Sequence, residues 1–239
     1  MITTTQTKDL LAPVSQRQEL KKEANHYPSW QLSDRQICDL ELLLNGGFSP
    51  LDGFLNKADY DSVVDNMRLE NGALWPIPIT LDVSVEFAGS IKDEPKITLR
   101  DKEGFALAVL TVGDIWNPDL DHEAQSVYGT ADTTHPAVNY LKNIGHKTYV
   151  GGKLEGISLP HHYDYQGDRH TPAELRSLFN EKNWTKVVAF QTRNPLHRAH
   201  VEMTMQAAQN LDAKLLIHPV VGLTKPGDVD HYTRVRCYQ

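Results

Sequence analysis

The sequence predicts a mixed α/β protein, and three patterns along the chain indicate this. Apolar and polar residues alternate over 77–87, as they do in a half-buried strand. Two apolar runs, 97–100 and 105–112, flank a turn that contains Gly104, which is typical of a hairpin. Residues 187–217 run strand, helix, strand, the order of a βαβ unit with parallel strands. We therefore expect a strand-rich first part and an α/β second part.

The change of pattern also predicts where the chain divides. Residues 159–169 combine Pro, Gly and polar clusters without a period, so we interpret them as a linker and predict domains over 1–168 and 169–239. The first 30 residues are polar and have no sustained period, so we expect an extended or loosely packed arm. One βαβ unit leaves its parallel strands without neighbours. We therefore expect the N-terminal part of a longer protein, with its second domain cut short.

Charge and composition exclude several classes of protein. The chain has 239 residues with 24 Lys+Arg and 31 Asp+Glu, a net charge of −7, which disfavours a basic nucleic-acid-binding face. No apolar run approaches the roughly 18 to 20 residues that span a bilayer, and the N-terminus does not have the pattern of a signal peptide. We expect a cytoplasmic protein without nucleic-acid or membrane partners, in which Cys38 and Cys237 are reduced thiols.

Capping patterns place the predicted helices. Ser33 followed by Gln36 is a capping box, and the helix that it opens ends at the Asn and Gly residues of 45–47. A second helix is predicted over 57–70, because apolar residues recur on one face. In the second part, a Thr-Pro-Ala-Glu sequence at 171–174 opens a short helix, and another helix is predicted from about residue 232.

The segment between the two parallel strands carries the chemistry. It reads QTRNPLHRAH over 191–200, and Asn194 and Pro195 are typical of an N-cap and a first helical residue. The unpaired N–H groups of that helix would then lie at the carboxyl edge of the sheet, where open α/β sheets bind anions. Arg193 offers a planar fork for a tetrahedral oxyanion, and Gln191 adds an amide donor.

Two histidines follow on the first turn of the predicted helix. His197 and His200 are three residues apart, so they share a helix face beside the anion site. By themselves they also fit surface or core packing, and the metalloprotease arrangement of two His four apart around a Glu is absent. The combination of buried strand, Gln-Thr-Arg turn and two histidines indicates an anion site with many donors and little carboxylate.

Other clusters have simpler interpretations. The histidine-rich segment 161–170 matches no zinc-ligand spacing and is interpreted as a polar linker. The glycine pairs at 46–47 and 151–152 form neither GxxxxGK[ST] nor GxGxxG, which disfavours a P-loop kinase or a Rossmann dinucleotide enzyme. Lys225 and Asp228 fit either the nucleotide site or a structural turn.

Long motifs resemble the ATP sulfurylase, or sulfate adenylyltransferase, family. They are QTRNPLHRAH at 191–200 and IHPVVGLTKPGD at 217–228, with LNGGFSPL at 44–51, WPIPITLDV at 75–83 and VGG at 150–152 upstream. The resemblance covers nearly all of the chain from about residue 30 and implies a PUA-like β-domain followed by a Rossmann-like α/β nucleotidyltransferase domain. It implies that MgATP and sulfate give adenosine 5′-phosphosulfate and pyrophosphate, in sulfate assimilation or in reverse during sulfur oxidation.

Roles for individual residues follow from this resemblance. It implies that Gln191 and Arg193 hold sulfate, and that Asn194, His197 and His200 contact the ATP phosphates. Catalytic roles are implied for Thr192, Arg193 and Asn194, with Mg²⁺ supplied as MgATP and no metal ligand in the chain. Self-association of the full-length protein is also implied.

Two alternatives remain open at the level of sequence. One is another nucleotidyltransferase of the same fold, in which a different phosphate or carboxylate replaces sulfate as the nucleophile. The other is a non-catalytic binding module or fragment, directed to RNA through the PUA-like domain, which the net charge of −7 disfavours.

Overall fold

The chain forms two compact units, Met1–Ala173 and Glu174–Gln239. The structure is a computed structural model and describes residues 7–221 and 227–239. The domain boundary expected after residue 168 stays a prediction. Among the described residues, no helix combines the length and apolar character needed to cross a membrane.

A mixed sheet forms the centre of the first unit. The strands are β1 (Ser29–Gln31), β2 (Gly53–Phe54), β3 (Leu81–Val83), β4 (Lys96–Arg100), β5 (Ala106–Trp116) and β6 (Thr148–Gly156). They pair in the order β1-β4-β5-β6-β2, and β3 also pairs with β6. β1 runs parallel to β4, whereas the other pairs are antiparallel.

Helices surround this sheet and complete the core of the first unit. The helices are α1 (Val14–Glu23), α2 (Asp34–Leu44), α3 (Lys57–Asn66), α4 (Val85–Ser90), α5 (Leu120–Tyr128) and α6 (Pro136–Asn139), which continues as a π-helical turn over Tyr140–Ile144. Side chains from α2 and α3 pack with β3, β4, β5 and β6 in one buried apolar cluster that includes Leu40, Val63, Leu81 and Leu110. Burial of this cluster is the main apolar contribution to the stability of the unit.

Local sequence signals correctly predicted two of these features. The Ser33 hydroxyl accepts from the Gln36 N–H, and the Gln36 side chain accepts from the Ser33 N–H, so the predicted capping box opens α2. The β4–β5 hairpin is also confirmed, with Gly104 at a φ of 89° in its turn. β5 continues beyond residue 112 to Trp116, past an irregularity between Val112 and Asp114.

The expectation of a loose arm over residues 1–30 is wrong for the described residues. α1 begins after Pro13, and the buried side chains of Leu20 and Ala24 pack with Ala106, Val109 and Ile157. β1 then pairs with β4. Leu20 is the one buried residue of α1, so the sequence lacks the broad periodic apolar stripe that predicts an amphipathic helix.

Two predicted elements are shorter in the structure. The helix predicted over 57–70 ends at Asn66, because Met67 adopts a left-handed conformation with a φ of 54°. The strand predicted over 77–87 contracts to β3, because Pro76 and Pro78 lack the N–H groups that a strand ladder needs. After β3, the Ser84 hydroxyl accepts from the Phe87 N–H and opens α4, where a strand was predicted.

The glycines at 151–152 allow neighbouring backbone segments to approach β6 closely. A Cβ atom on Gly151 would lie 2.3 Å from the Leu55 carbonyl oxygen, and one on Gly152 would lie 2.1 Å from that of Thr111. On β2, a Cβ atom on Gly53 would meet the Gly152 carbonyl oxygen at 1.9 Å. These glycines therefore serve backbone packing in the sheet.

A partly buried charge network joins α2 to β3. The Arg35 guanidinium pairs with both Asp39 and Asp82. Burial opposes ionisation of Asp82, but the Arg35 charge and N–H donors from His146 and Gln36 lower the net pKa of this carboxyl. Burial raises the pKa of Asp39 to about 6, against the Arg35 charge. One cation thus serves two carboxylates, and Asp82 is the better stabilised of the two.

The second unit contains the predicted βαβ arrangement. Its elements are α7 (Pro172–Glu181), β7 (Val187–Thr192), α8 (Arg198–Asn210), β8 (Lys214–Pro219) and α9 (His231–Arg236). β7 and β8 are parallel, and the register runs from Val187 opposite Lys214 to Thr192 opposite Pro219. The segments that follow these strands therefore begin at the same edge of the sheet.

We predict that Arg35→Met destabilises the first unit by about 3 to 5 kcal/mol at pH 7, because the buried Asp82 carboxylate and the partly buried Asp39 carboxylate lose their cation. The loss should be smaller at pH 4, because without the Arg35 charge both carboxyls of the folded variant can take up a proton. The measurement is the urea dependence of amide exchange in β6. Lys57→Met, which breaks the exposed Lys57–Asp61 pair, is the control and should cost at most about 1 kcal/mol. An equal loss of unfolding free energy at pH 7 and pH 4 would contradict the role of Arg35 as the cation that compensates Asp39 and Asp82.

Candidate functional site

The turn after β7 begins α8 later than the sequence predicts. α8 starts at Arg198 with His197 as its N-cap residue, so Asn194 is not the N-cap and Pro195 is not the first helical residue. The Thr192 hydroxyl accepts from the Asn194 N–H at 3.0 Å and donates to the Asn194 carbonyl at 3.1 Å. This local pairing makes a separate turn, and the helix begins only after it.

The two histidines lie together at the start of α8, as their spacing predicts. Their ring centroids are 3.8 Å apart and the ring planes are inclined by 30°. The His200 ring also lies 5.7 Å from that of Phe190 on β7. His200 Nδ1 is buried and has no hydrogen-bond partner among the residues that the structure describes. The side chain of His197 is exposed.

Arg193 is held by a carboxylate from the other loop at this edge. Its Nη2 donates to Asp228 Oδ2 at 2.7 Å, with the side chains 35% and 19% exposed, respectively. The expectation of little carboxylate at the site therefore needs correction, because Asp228 adds one. The sequence left Asp228 open between a nucleotide site and a structural turn, and the ion pair places it beside Arg193. Lys225 lies outside the described residues.

The remaining predicted residues occupy the same turn with different exposure. Gln191 and Asn194 are exposed, whereas Thr192 is buried at the end of β7. All six predicted site residues lie on β7, the turn that follows it or the first turn of α8. The structure brings them together, and their roles toward a ligand remain predictions.

Sequence reasoning missed two residues that support this turn. Arg234 on α9 is 1% exposed, and its Nη1 donates to the Arg193 carbonyl at 2.9 Å. The Tyr238 hydroxyl donates to the carbonyl of Asn194. The predicted parallel pairing offered a signal, because the segment after β8 must begin at the same sheet edge as the turn after β7 and can supply partners to it. The sequence does not reveal which side chains of the later helix reach that turn.

The histidines of the linker, His161 and His162, contact neighbouring side chains of the first unit. His162 Nε2 lies 2.9 Å from Glu41 on α2, and His161 packs against Tyr163 with ring centroids 4.4 Å apart.

Within residues 7–221 and 227–239, no group of three or more His, Cys, Asp or Glu side chains is placed to hold a metal ion. Cys38 and Cys237 are exposed free thiols.

Two family profiles match adjoining parts of this chain. The PUA-like domain profile matches residues 3–159, and the ATP-sulfurylase profile matches residues 166–239. The second match contains the whole turn described above.

Curated relatives and a solved structure agree with these matches. The chain is 57% identical over 234 residues to a sulfate adenylyltransferase of Kluyveromyces lactis, covering 97% of this chain and 46% of that protein. It is 58% identical over 210 residues to that of Saccharomyces cerevisiae, covering 88% of this chain and 41% of the relative. A structure titled "Hexameric APS kinase from Thiobacillus denitrificans" superposes with a TM-score of 0.77 at 33% identity, over 97% of this chain and 42% of that chain.

The chain thus spans less than half the length of the curated relatives that it matches. Its mixed α/β fold combines a PUA-like domain with a nucleotide-binding α/β fold, as the sequence predicts. The turn QTRNPLHRAH lies in the part that matches the ATP-sulfurylase profile. On these similarities, residues 3–159 belong to the PUA-like domain family, residues 166–239 match the ATP-sulfurylase family, and 97% of the chain is homologous to a sulfate adenylyltransferase.

Proposed function

We propose that the protein carrying this chain is a sulfate adenylyltransferase, which joins MgATP and sulfate to give adenosine 5′-phosphosulfate and pyrophosphate. The observation that carries this proposal is the turn after β7, where Arg193 and the histidine pair lie at the carboxyl edge of parallel strands. The names of the curated relatives support the same activity.

Each predicted residue has a role in this reaction. Gln191 and Arg193 hold sulfate, and Asn194, His197 and His200 contact the ATP phosphates. Thr192 shapes the catalytic turn through its two hydrogen bonds with Asn194. Since His197 is the N-cap, the unpaired N–H groups of α8 begin beside the histidine rings.

The chemistry requires positioning more than proton transfer. A sulfate oxygen attacks the α-phosphorus of ATP as the bond to the pyrophosphate oxygen breaks, and both electrons of that bond leave with pyrophosphate. Sulfate is already an anion, so no base is needed to activate it. The protein must hold two anions together and stabilise the charge that develops on the phosphate oxygens. Arg193 provides a permanent positive charge, and Asp228 orients its guanidinium.

Further parts of the proposal concern the substrate and the assembly. Mg²⁺ arrives with ATP as part of the substrate, where it offsets phosphate charge. Self-association is proposed for the full-length protein, in line with the hexamer named for the solved structure. A cytoplasmic location stays a prediction.

The decisive assay measures ATP formation from adenosine 5′-phosphosulfate, pyrophosphate and Mg²⁺. It is run on this chain and on the protein in its full natural length. Activity of the full-length protein that sulfate inhibits as a product supports the proposal. Nucleotide binding without this reaction would instead favour a nucleotidyltransferase with another anionic nucleophile. Salt-sensitive RNA binding without either activity would favour the binding module.

We predict that Arg193→Ala lowers the turnover of the full-length enzyme by about 100-fold to 1,000-fold, because a preorganised positive charge is lost at the reacting anions. Steady-state rates with saturating ATP provide the measurement, and circular dichroism checks the fold. Arg176→Ala, which removes an exposed arginine on α7, is the matched control and should retain full activity. Arg193→Ala activity within a few-fold of the unmodified enzyme would contradict the assigned role.

We also predict that Thr192→Val loosens the turn, because the Asn194 N–H loses its hydrogen bond to the Thr192 hydroxyl while side-chain volume is kept. The expected cost is about 1 to 3 kcal/mol of local stability, seen as faster amide exchange of residues 193–194. Thr204→Val removes another buried hydroxyl, which bonds to the His200 carbonyl in α8. This control should leave exchange in the turn unchanged. Equal exchange in both variants would refute the role of Thr192.

A further inference from the structure

Arg234 is the most completely buried cation in the described part of the second unit. Its side chain is 1% exposed, and among the described residues that side chain forms one hydrogen bond, from Nη1 to the Arg193 carbonyl at 2.9 Å. Its Nε and Nη2 atoms are buried and have no hydrogen-bond partner among the described residues. No carboxylate of those residues forms an ion pair with it, and Asp228 is paired with Arg193 instead.

Burying the Arg234 charge without a carboxylate partner lowers the stability of the folded protein when no ligand is bound. A guanidinium stays protonated at every ordinary pH, so burial does not neutralise Arg234. Buried charges in proteins are normally paired, because their lost hydration must be replaced. The contrast with Arg35 is direct, since Arg35 is paired with two carboxylates in the first unit. The uncompensated charge of Arg234 lies directly behind the turn proposed to bind anions.

Arg234 on α9 and Tyr238, just after this helix, donate hydrogen bonds to two carbonyl groups of the turn. The Arg193 carbonyl accepts from Arg234, and the Asn194 carbonyl accepts from Tyr238. Both oxygens carry partial negative charge that would repel an anion. The hydrogen bonds from Arg234 and Tyr238 engage both oxygens and offset part of this negative charge.

We propose that Arg234 is a positioning residue that acts as a second, buried positive charge of the anion site, stabilising a bound sulfate or phosphate through the Arg193 peptide without contacting it. The inference rests on the proposed function for the identity of the anion. The negative charge of the ligand supplies the compensation that the described residues do not provide. Because Arg234 is buried, solvent ions screen its effect less than that of a surface charge.

The test compares Arg234→Met with Arg234→Lys and with Arg236→Met in the full-length protein. Arg236 is exposed on the same helix and provides the same change in net charge. Calorimetry measures the dissociation constants of inorganic sulfate and of pyrophosphate at about 0.05 M and about 0.5 M salt. Steady-state kinetics give the KM for sulfate alongside kcat.

We expect Arg234→Met to weaken anion binding by roughly 10-fold or more at both salt concentrations. Arg234→Lys should recover most of the affinity because it keeps the charge, although it loses the planar fork. Arg236→Met should change affinity by at most about 3-fold, and only at low salt. A structural role alone would leave Arg234→Lys as impaired as Arg234→Met, and that result overturns the proposal.

The outcomes also separate this inference from the proposed function. Weaker pyrophosphate binding in Arg234→Met, in a protein that makes no ATP from adenosine 5′-phosphosulfate, supports the inference and removes the sulfate assignment. Normal anion binding by Arg234→Met in an active enzyme overturns the inference alone. If Arg234→Met does not fold, Arg234→Gln keeps amide donors without the charge, and its anion affinity must fall in the same way. Unchanged affinity in Arg234→Gln overturns the proposal.

Discussion

The parallel pairing of β7 with β8 is the constraint on which the candidate site depends. With Thr192 opposite Pro219, the segments that leave both strands start at one edge of the sheet. Asp228 can therefore pair with Arg193, and α9 can reach the Arg193 and Asn194 carbonyls. A shift in this pairing would move each of these partners relative to the turn, although the turn itself is made by local hydrogen bonds.

The two units use arginine in different ways. In the first unit, Arg35 ties α2 to β3 through Asp39 and Asp82, and this network is internally compensated. In the second unit, the Arg234 side chain hydrogen-bonds only to a main-chain oxygen among the described residues, and no carboxylate of those residues pairs with it. The first arrangement suits a structural support, since its charges satisfy each other. The second suits a site that receives an anion.

Local signals predicted elements well where neighbouring residues alone determine the conformation. The Ser33–Gln36 capping box and the Gly104 hairpin depend on contacts a few residues apart, and both were predicted correctly. α1 was missed because Leu20 and the C-cap residue Ala24 become buried only against β5 and the segment after β6. The residue type of Asn194 favours an N-cap, but its N–H donates to the Thr192 hydroxyl in a separate turn, and α8 begins later with His197 as its N-cap.

The sequence by itself determined the βαβ order, the collection of Gln191, Arg193, His197 and His200 on one short segment, and the resemblance that connects them to an anion. These features follow from residue type and spacing, which act over one or two turns of chain. Only the tertiary structure decided that Asp228 orients Arg193 and that Arg234 lies buried behind it. Those contacts join residues 35 and 41 positions apart, and strand pairing rather than local preference brings such residues together.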